Sequence, residues 1–201
     1  MQSITLQQLA GNTDIYLLDQ ILKKRYCKRD RILDAGCNIG RNLHWFLANQ
    51  ITCFGIDKDE MAIEQLKLQH PNLPANRFQV SSVESLPFAD CYFDHVISSA
   101  VLHFAESHQQ FNAMLIEMIR VLKPGGTLFI RMTADIGIEN KVIEVSPGVY
   151  NIPDGSTRFL LTRPILKELL TRYRLMLIEP AKTVNVEDVR CMTTLMLKKN
   201  G

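Results

Sequence analysis

Apolar residues along this chain switch between two patterns, one of helical spacing and one of short continuous runs. In "DIYLLDQILKKRY", Ile15, Leu18, Leu22 and Tyr26 fall near helical spacing behind Asn12 or Thr13 as a cap, which predicts an opening helix. "RILDAG" is an apolar run of strand length, and the following "RNLHWFLAN" brings Leu43, Phe46 and Leu47 onto one helical face. "ITCFGID" predicts a second strand, and "EMAIEQLKLQH" a helix that Asp59 caps and Pro71 stops. "RFQVSS" and "FDHVISSA" read as strands three and four, "HQQFNAMLIEMIRVL" as a helix ended by "KPGG", and "TLFIRM" as strand five. Strands alternating with helices of this length predict an α/β fold with a mostly parallel sheet covered on both faces. Two last strand candidates, "LMLIEPAKTV" and "CMTTLMLKK", are joined by a short loop, which suits an antiparallel pair.

One stretch, at about 133–161, breaks the alternation before the helix "TRPILKELLTRY". Within it "KVIEV", "SPG" and "VYNI" predict a hairpin, and "PDGS" a turn. An insertion after the carboxyl end of a sheet strand lies where open α/β sheets bind ligands, so it is read as a substrate lid.

The turn after the first strand, "ILDAGCNIGRN", raises the question of its ligand. Gly36 and Gly40 let the backbone pass close to a bound group, and the helix that follows offers free N–H groups. A dinucleotide fingerprint would need glycine at 38 and glycine or alanine at 41, where Asn38 and Arg41 stand. Asn38 is still the best non-glycine residue for a left-handed turn. Asp57 closes the second strand, where an acid accepts hydrogen bonds from both hydroxyls of a ribose.

Composition narrows the setting. The 201 residues are 46% hydrophobic and 22% charged, the proportions of a soluble globule, so a single domain over 1–201 is expected. No apolar run approaches a membrane span, and "MQSITLQQLAGN" lacks the features of a secretory signal, so a cytoplasmic protein without a membrane partner is expected. Five cysteines without a C-x-x-C pair fit neither a disulfide framework nor a zinc knuckle. His44, His70, His95 and His108 show no ligand spacing, so no metal is expected. A net charge of +2 gives no general pull toward nucleic acid. The local exception is Lys23, Lys24, Arg25, Lys28, Arg29 and Arg31, read as closing a helix C-terminus, with an RNA or phosphate contact as the alternative.

Four segments in order, "ILDAGCNIGRN", "GIDKDEMAIEQ", "SSVESLPFADCYFDHVISSAVLHF" and "IRVLKPGGTLFIRM", resemble the class I S-adenosylmethionine-dependent methyltransferases of the type 11 and 12 kind. "GRN" and "VLHF" are similar to the tellurite-resistance-like, small-molecule branch. The resemblance implies a Rossmann-like, doubly wound seven-stranded sheet with an antiparallel last strand. It implies S-adenosylmethionine as cofactor and S-adenosylhomocysteine as product. Asp34, Gly36, Cys37 and Gly40 would surround the methionine half, with Asp34 near the ammonium group; Asp57 would hold the ribose and Lys58 lie beside the adenine. Where many relatives place an aspartate against the adenine, this chain has Ser82, followed by Val83 and Glu84. A neutral hydroxyl should hold the adenine amino group less firmly than a carboxylate would.

Methyl transfer from a sulfonium is an in-line displacement in which the protein supplies position and surroundings. Ser99, Val101, Leu102 and His103 follow strand four and are placed near the sulfonium or the acceptor, with His103 as the candidate general base. Arg131, Tyr150, Arg158 and Phe159 are candidate contacts to a small-molecule acceptor, and two arginines facing the pocket would suit an acidic one. The rival readings are an RNA methyltransferase, an NAD-dependent enzyme on a similar sheet, and a non-catalytic binding module.

Overall fold

The computed structural model describes residues 5–201. A short helix α1 (Leu6–Ala10) precedes α2 (Ile15–Leu22), whose cap is Asp14 and not Asn12 or Thr13: its carboxylate accepts from the Tyr16 N–H. There follow β1 (Arg31–Ala35), α3 (His44–Ala48), β2 (Thr52–Asp57), α4 (Glu60–Gln69), β3 (Phe78–Val80) and β4 (Phe93–Ser99). Then come α5 (His108–Val121), β5 (Leu122–Ala134), β6 (Ile143–Ser146), β7 (Val149–Asn151), β8 (Thr157–Phe159) and α6 (Arg163–Thr171). The chain ends with β9 (Leu175–Leu177), β10 (Lys182–Val186) and β11 (Arg190–Lys199).

The main sheet runs β10-β11-β5-β4-β1-β2-β3, with β1 to β5 parallel and β11 antiparallel to β5. It has eight strands where seven were expected, because "LMLIEPAKTV" divides into β9 and β10. Both pair with β11, β9 along Leu197–Lys199 and β10 along Arg190–Thr194. Pro180 lies in the gap; lacking an N–H it cannot continue the ladder. "KPGG" stops the helix as expected, and it is part of a strand that starts earlier than "TLFIRM". The helix ends at Val121 and β5 begins at once, carrying the four residues through a shift in its register against β4.

Strand parity sends successive apolar residues to opposite faces of the sheet. Leu33, Phe54, Val96, Leu128 and Ile130 join the core formed with α5 and α6. Ile32, Cys53, Ile97 and Phe129 join Leu17, Phe46 and Ile63 on the other face. Each side chain so removed from water contributes about 1.5–3 kcal/mol. Two layers of helix around one sheet leave the carboxyl ends of β1, β4 and β5 as the open rim.

The insertion forms its own antiparallel sheet, β6-β7-β8. The hairpin expected from the sequence is β6 and β7; β8 is an added third strand. Val149 and Phe159 pair on one face, which packs on α5 through Phe111 and His108. Glu144, Tyr150 and Arg158 form the row on the other.

Candidate cofactor and acceptor site

The glycine turn is tied to the end of β2: the N–H groups of Gly36 and Cys37 both donate to the Ile56 carbonyl at 2.9 Å. Gly36 has φ +84°, and a Cβ there would stand 2.4 Å from Val101 Cγ2. The turn and the segment after β4 can meet only because that side chain is missing. Gly40, at φ +80°, leaves room in the same way for Leu66 of α4. Asn38 takes the left-handed conformation (φ 47°) that its residue type favours. Its N–H donates to Asp57 Oδ2 at 2.7 Å, while Asp57 Oδ1 accepts from the Asp59 N–H at 3.0 Å. Asp57 therefore braces the turn besides standing, half-buried, at the place expected for ribose recognition.

Asp34 is 1% exposed, and neither carboxylate oxygen has a hydrogen-bond partner. Burial pushes its pKa up to about 8; Arg41 opposes this and Asp57 adds to it. An unpartnered buried carboxylate beside a glycine cradle is costly unless a cationic group completes it. The residues present thus fit a ligand with an ammonium group. Cys37 is buried, and desolvation with the nearby Asp34 raises its thiol far above the ordinary range, so it lines the turn as an inert side chain.

Of the residues expected beside the adenine, Lys58 and Ser82 are exposed, Val83 is buried, and Glu84 is intermediate. The Ser82 hydroxyl bonds the Glu84 carboxylate, whose other oxygen accepts from Gln110 Nε2 at 2.5 Å. Ser82 is thereby linked to α5.

At the rim of β4, Ser99 Oγ donates to Asp14 Oδ2 at 3.3 Å, and Arg131 Nη1 donates to the same oxygen at 3.1 Å. Arg41 Nη2 lies 4.0 Å from that oxygen and 3.5 Å from Ser99 Oγ. Tyr16 lies under the Arg131 guanidinium at 5.0 Å. Asp14, 6% exposed, is the hub of this cluster, and sequence reasoning missed it. The available signal was its helix-cap position in "NTDIY".

His103 is 6% exposed. Its Nδ1 accepts from the Thr133 backbone N–H at 3.3 Å, with the Thr133 hydroxyl at 3.0 Å. An N–H can only donate, so the neutral ring carries its proton on Nε2. Burial, then the positive field of Arg158, Arg131 and Arg190, lowers its pKa to about 4.

Two expected acceptor contacts are displaced by the structure. Phe159 is fully buried, stacked on Phe111 at 4.5 Å, because strand parity turns it toward α5. Leu102 is also fully buried, within the core shared with α5. Tyr150 and Arg158 do stand together on the opposite face of the small sheet, and Arg158 lies 5.0 Å over the ring of Phe104. The basic cluster near residue 25 is partly neutralised: Lys23 and Arg25 both pair with Glu179, at 2.7 and 3.0 Å. Among the described residues no helix is long and apolar enough to cross a membrane.

Residues 33–130 match the family described as a methyltransferase domain. An uncharacterised methyltransferase of Bacillus subtilis, YodH, is 35% identical over 114 residues, covering 54% of this chain and 42% of its own length. A tRNA (carboxymethyluridine(34)-5-O)-methyltransferase of Arabidopsis thaliana is 31% identical over 108 residues, covering 51% of this chain and 24% of its own. The chain thus spans less than half the length of these relatives. A crystal structure of a SAM-dependent methyltransferase from Methanosarcina mazei superposes with a TM-score of 0.73 at 21% identity, over 90% of this chain and 97% of the other. With its glycine turn, its strand-end acids and its sheet order, the chain is similar over residues 33–130 to the methyltransferase-domain family and shares the fold of a solved SAM-dependent methyltransferase.

Proposed function

We propose that this protein methylates a small molecule, bound between the carboxyl ends of β4 and β5 and the three-stranded insertion. The observation that carries the reading is the buried, unpartnered carboxylate of Asp34 beside the glycine turn. S-adenosylmethionine bound there supplies an activated methyl group on a sulfonium. Asp34 would receive its ammonium group, Gly36 and Gly40 let the backbone approach, and Asp57 would hold the ribose. Val83, Ser82, Glu84 and Lys58 stand on the adenine side, and Ser99 marks the rim nearest the methyl group.

His103 fits a different role from the expected base. Its Nδ1 lone pair is already engaged by Thr133, and the remaining ring nitrogen donates. It serves as a neutral hydrogen-bond donor that orients the acceptor. The small molecule is preferred over RNA as acceptor because the basic cluster is partly tied to Glu179, within an ion-pair network that also holds Asp19 and Lys182.

Calorimetric titration tests the reading. S-adenosylmethionine should bind and NADH should not, and Asp57→Ala should weaken binding roughly 10- to 150-fold, as the loss of about 1.5–3 kcal/mol of charged hydrogen bonding requires. Because Asp57 also braces the turn, Asp57→Asn should recover part of that loss. NADH binding in place of S-adenosylmethionine, or binding of neither, would end this reading.

A further inference from the structure

Four guanidinium groups gather at the carboxyl ends of β4 and β5 from separate parts of the chain: Arg41 after the glycine turn, Arg131 in β5, Arg158 in β8 and Arg190 at the head of β11. Asp14 is shared by Arg131 and Arg41. Asp154 meets Arg190 only loosely, at 3.7 Å. Arg158 has no ion-pair partner among the described residues; its Nη1 donates to its neighbour's carbonyl, Thr157 O, at 2.8 Å. Guanidinium groups therefore outnumber the carboxylates that pair with them. The excess lies on the insertion side of His103, away from the acid that would meet the cofactor's ammonium.

Arg158 and Arg190 come from two different sheets, and Tyr150 neighbours Arg158 across the β7–β8 ladder. Phe104, 58% exposed beneath the Arg158 guanidinium, adds an apolar surface. A planar cation over an apolar floor matches a planar anion with a hydrocarbon body. The nearby histidine has its acceptor nitrogen occupied, which suits an acceptor that needs no deprotonation.

Resting on the methyltransferase reading above, we propose that the acceptor is a carboxylic acid, bound as its anion by Arg158 and Arg190 and methylated on oxygen. A carboxylate O–CH3 bond forms as the S–CH3 bond breaks. The negative charge on oxygen and the positive charge on sulfur vanish together, leaving a neutral ester and a neutral thioether, and no proton changes place. An alcohol or amine would have to give up a proton on methylation, and His103 has its acceptor nitrogen engaged by Thr133.

The test uses octanoate and benzoate with their matched amides, octanamide and benzamide. Each is titrated into the protein saturated with S-adenosylhomocysteine, and each is offered for transfer from S-adenosylmethionine tritiated in the methyl group. The acids should bind at least tenfold tighter than the amides, and the label should be released as methanol by mild base, as from a methyl ester. Arg158→Ala and Arg190→Ala should each weaken acid binding at least tenfold with S-adenosylmethionine affinity unchanged. Equal binding of acid and amide, base-stable label, or failure of both acids with a protein that binds the cofactor would overturn the carboxylate. A protein that does not bind S-adenosylmethionine would instead bring down the reading beneath it.

Discussion

At pH 7, S-adenosylmethionine is expected to release close to one proton as it binds, and Asp34 is the source. The free site holds that carboxyl protonated, with a pKa of about 8, because it is buried without a partner. An arriving ammonium group favours the ionised form. Affinity should therefore rise about tenfold per pH unit from pH 6 toward 8, the slope a single linked proton gives. Above about pH 8 it should fall again, as the ligand's own α-amino group loses its charge. Calorimetry in phosphate and in Tris, whose ionisation enthalpies differ, reads the proton directly.

The same residue makes a second readout with its own sign. Between pH 4 and 8 the folded, ligand-free protein keeps a proton on Asp34 that the unfolded chain has released, so this group's contribution makes stability fall as pH rises through that window. Cofactor should flatten the dependence, and Asp34→Asn should remove both it and the proton release. A pH-independent affinity in wild type would show that the cofactor does not meet this carboxylate.

The other large effect expected is on stability, at Asp14. Its carboxylate is shared by Ser99, Arg131 and the start of α2, and it is 6% exposed. Removing one member of such a pair strands the other: Arg131 Nε is already buried without a partner. Asp14→Ala should cost about 3 kcal/mol, the lower end for a broken buried ion pair, since Arg131 keeps some access to water. Replacing both as Asp14→Leu with Arg131→Leu should recover much of this, because the only charge then left unpaired, Arg41, is 42% exposed and reaches water. Urea denaturation measures both. Equal losses in the single and double variants would mean that capping α2, and not the ion pair, is what Asp14 contributes.

The parts of this molecule that were legible in its sequence are those decided by near neighbours. The strand runs bury on both faces, so their composition announces them, and Asp34 and Asp57 declare themselves by standing last in such runs. Asn38 was legible for a similar reason, since its left-handed backbone is a local preference. Asp14 was not. Its meaning depends on Arg131, 117 residues away, and no local pattern joins the two. Arg190 was missed likewise, because an antiparallel strand from the end of the chain carries it back to the rim. Phe159 was misread because its orientation depends on the register of β7 against β8, and an error of one residue reverses a side chain. The "KPGG" stretch was read rightly as the helix's stop, because proline and glycine punctuate; that it also rides in a register shift of β5 depends on pairing with β4 and was not legible.

The small sheet leaves and rejoins the main fold at almost one point. Ala134 bridges Leu161, and the Leu161 N–H donates to the Thr133 carbonyl at 3.0 Å. What lies between is an exchangeable cassette clamped at its neck, and none of its residues belongs to the glycine turn or bonds Asp57. Evolution, or an engineer, can lengthen, shorten or replace it while the cofactor cradle keeps its shape. The cassette's buried side chains, Val149 and Phe159 on α5 together with Ile138, Ile152 and Leu160, are what must be preserved in kind. On the reading proposed above, new acceptors are therefore reached by changing this cassette, at little cost to the turn that would hold the methyl donor.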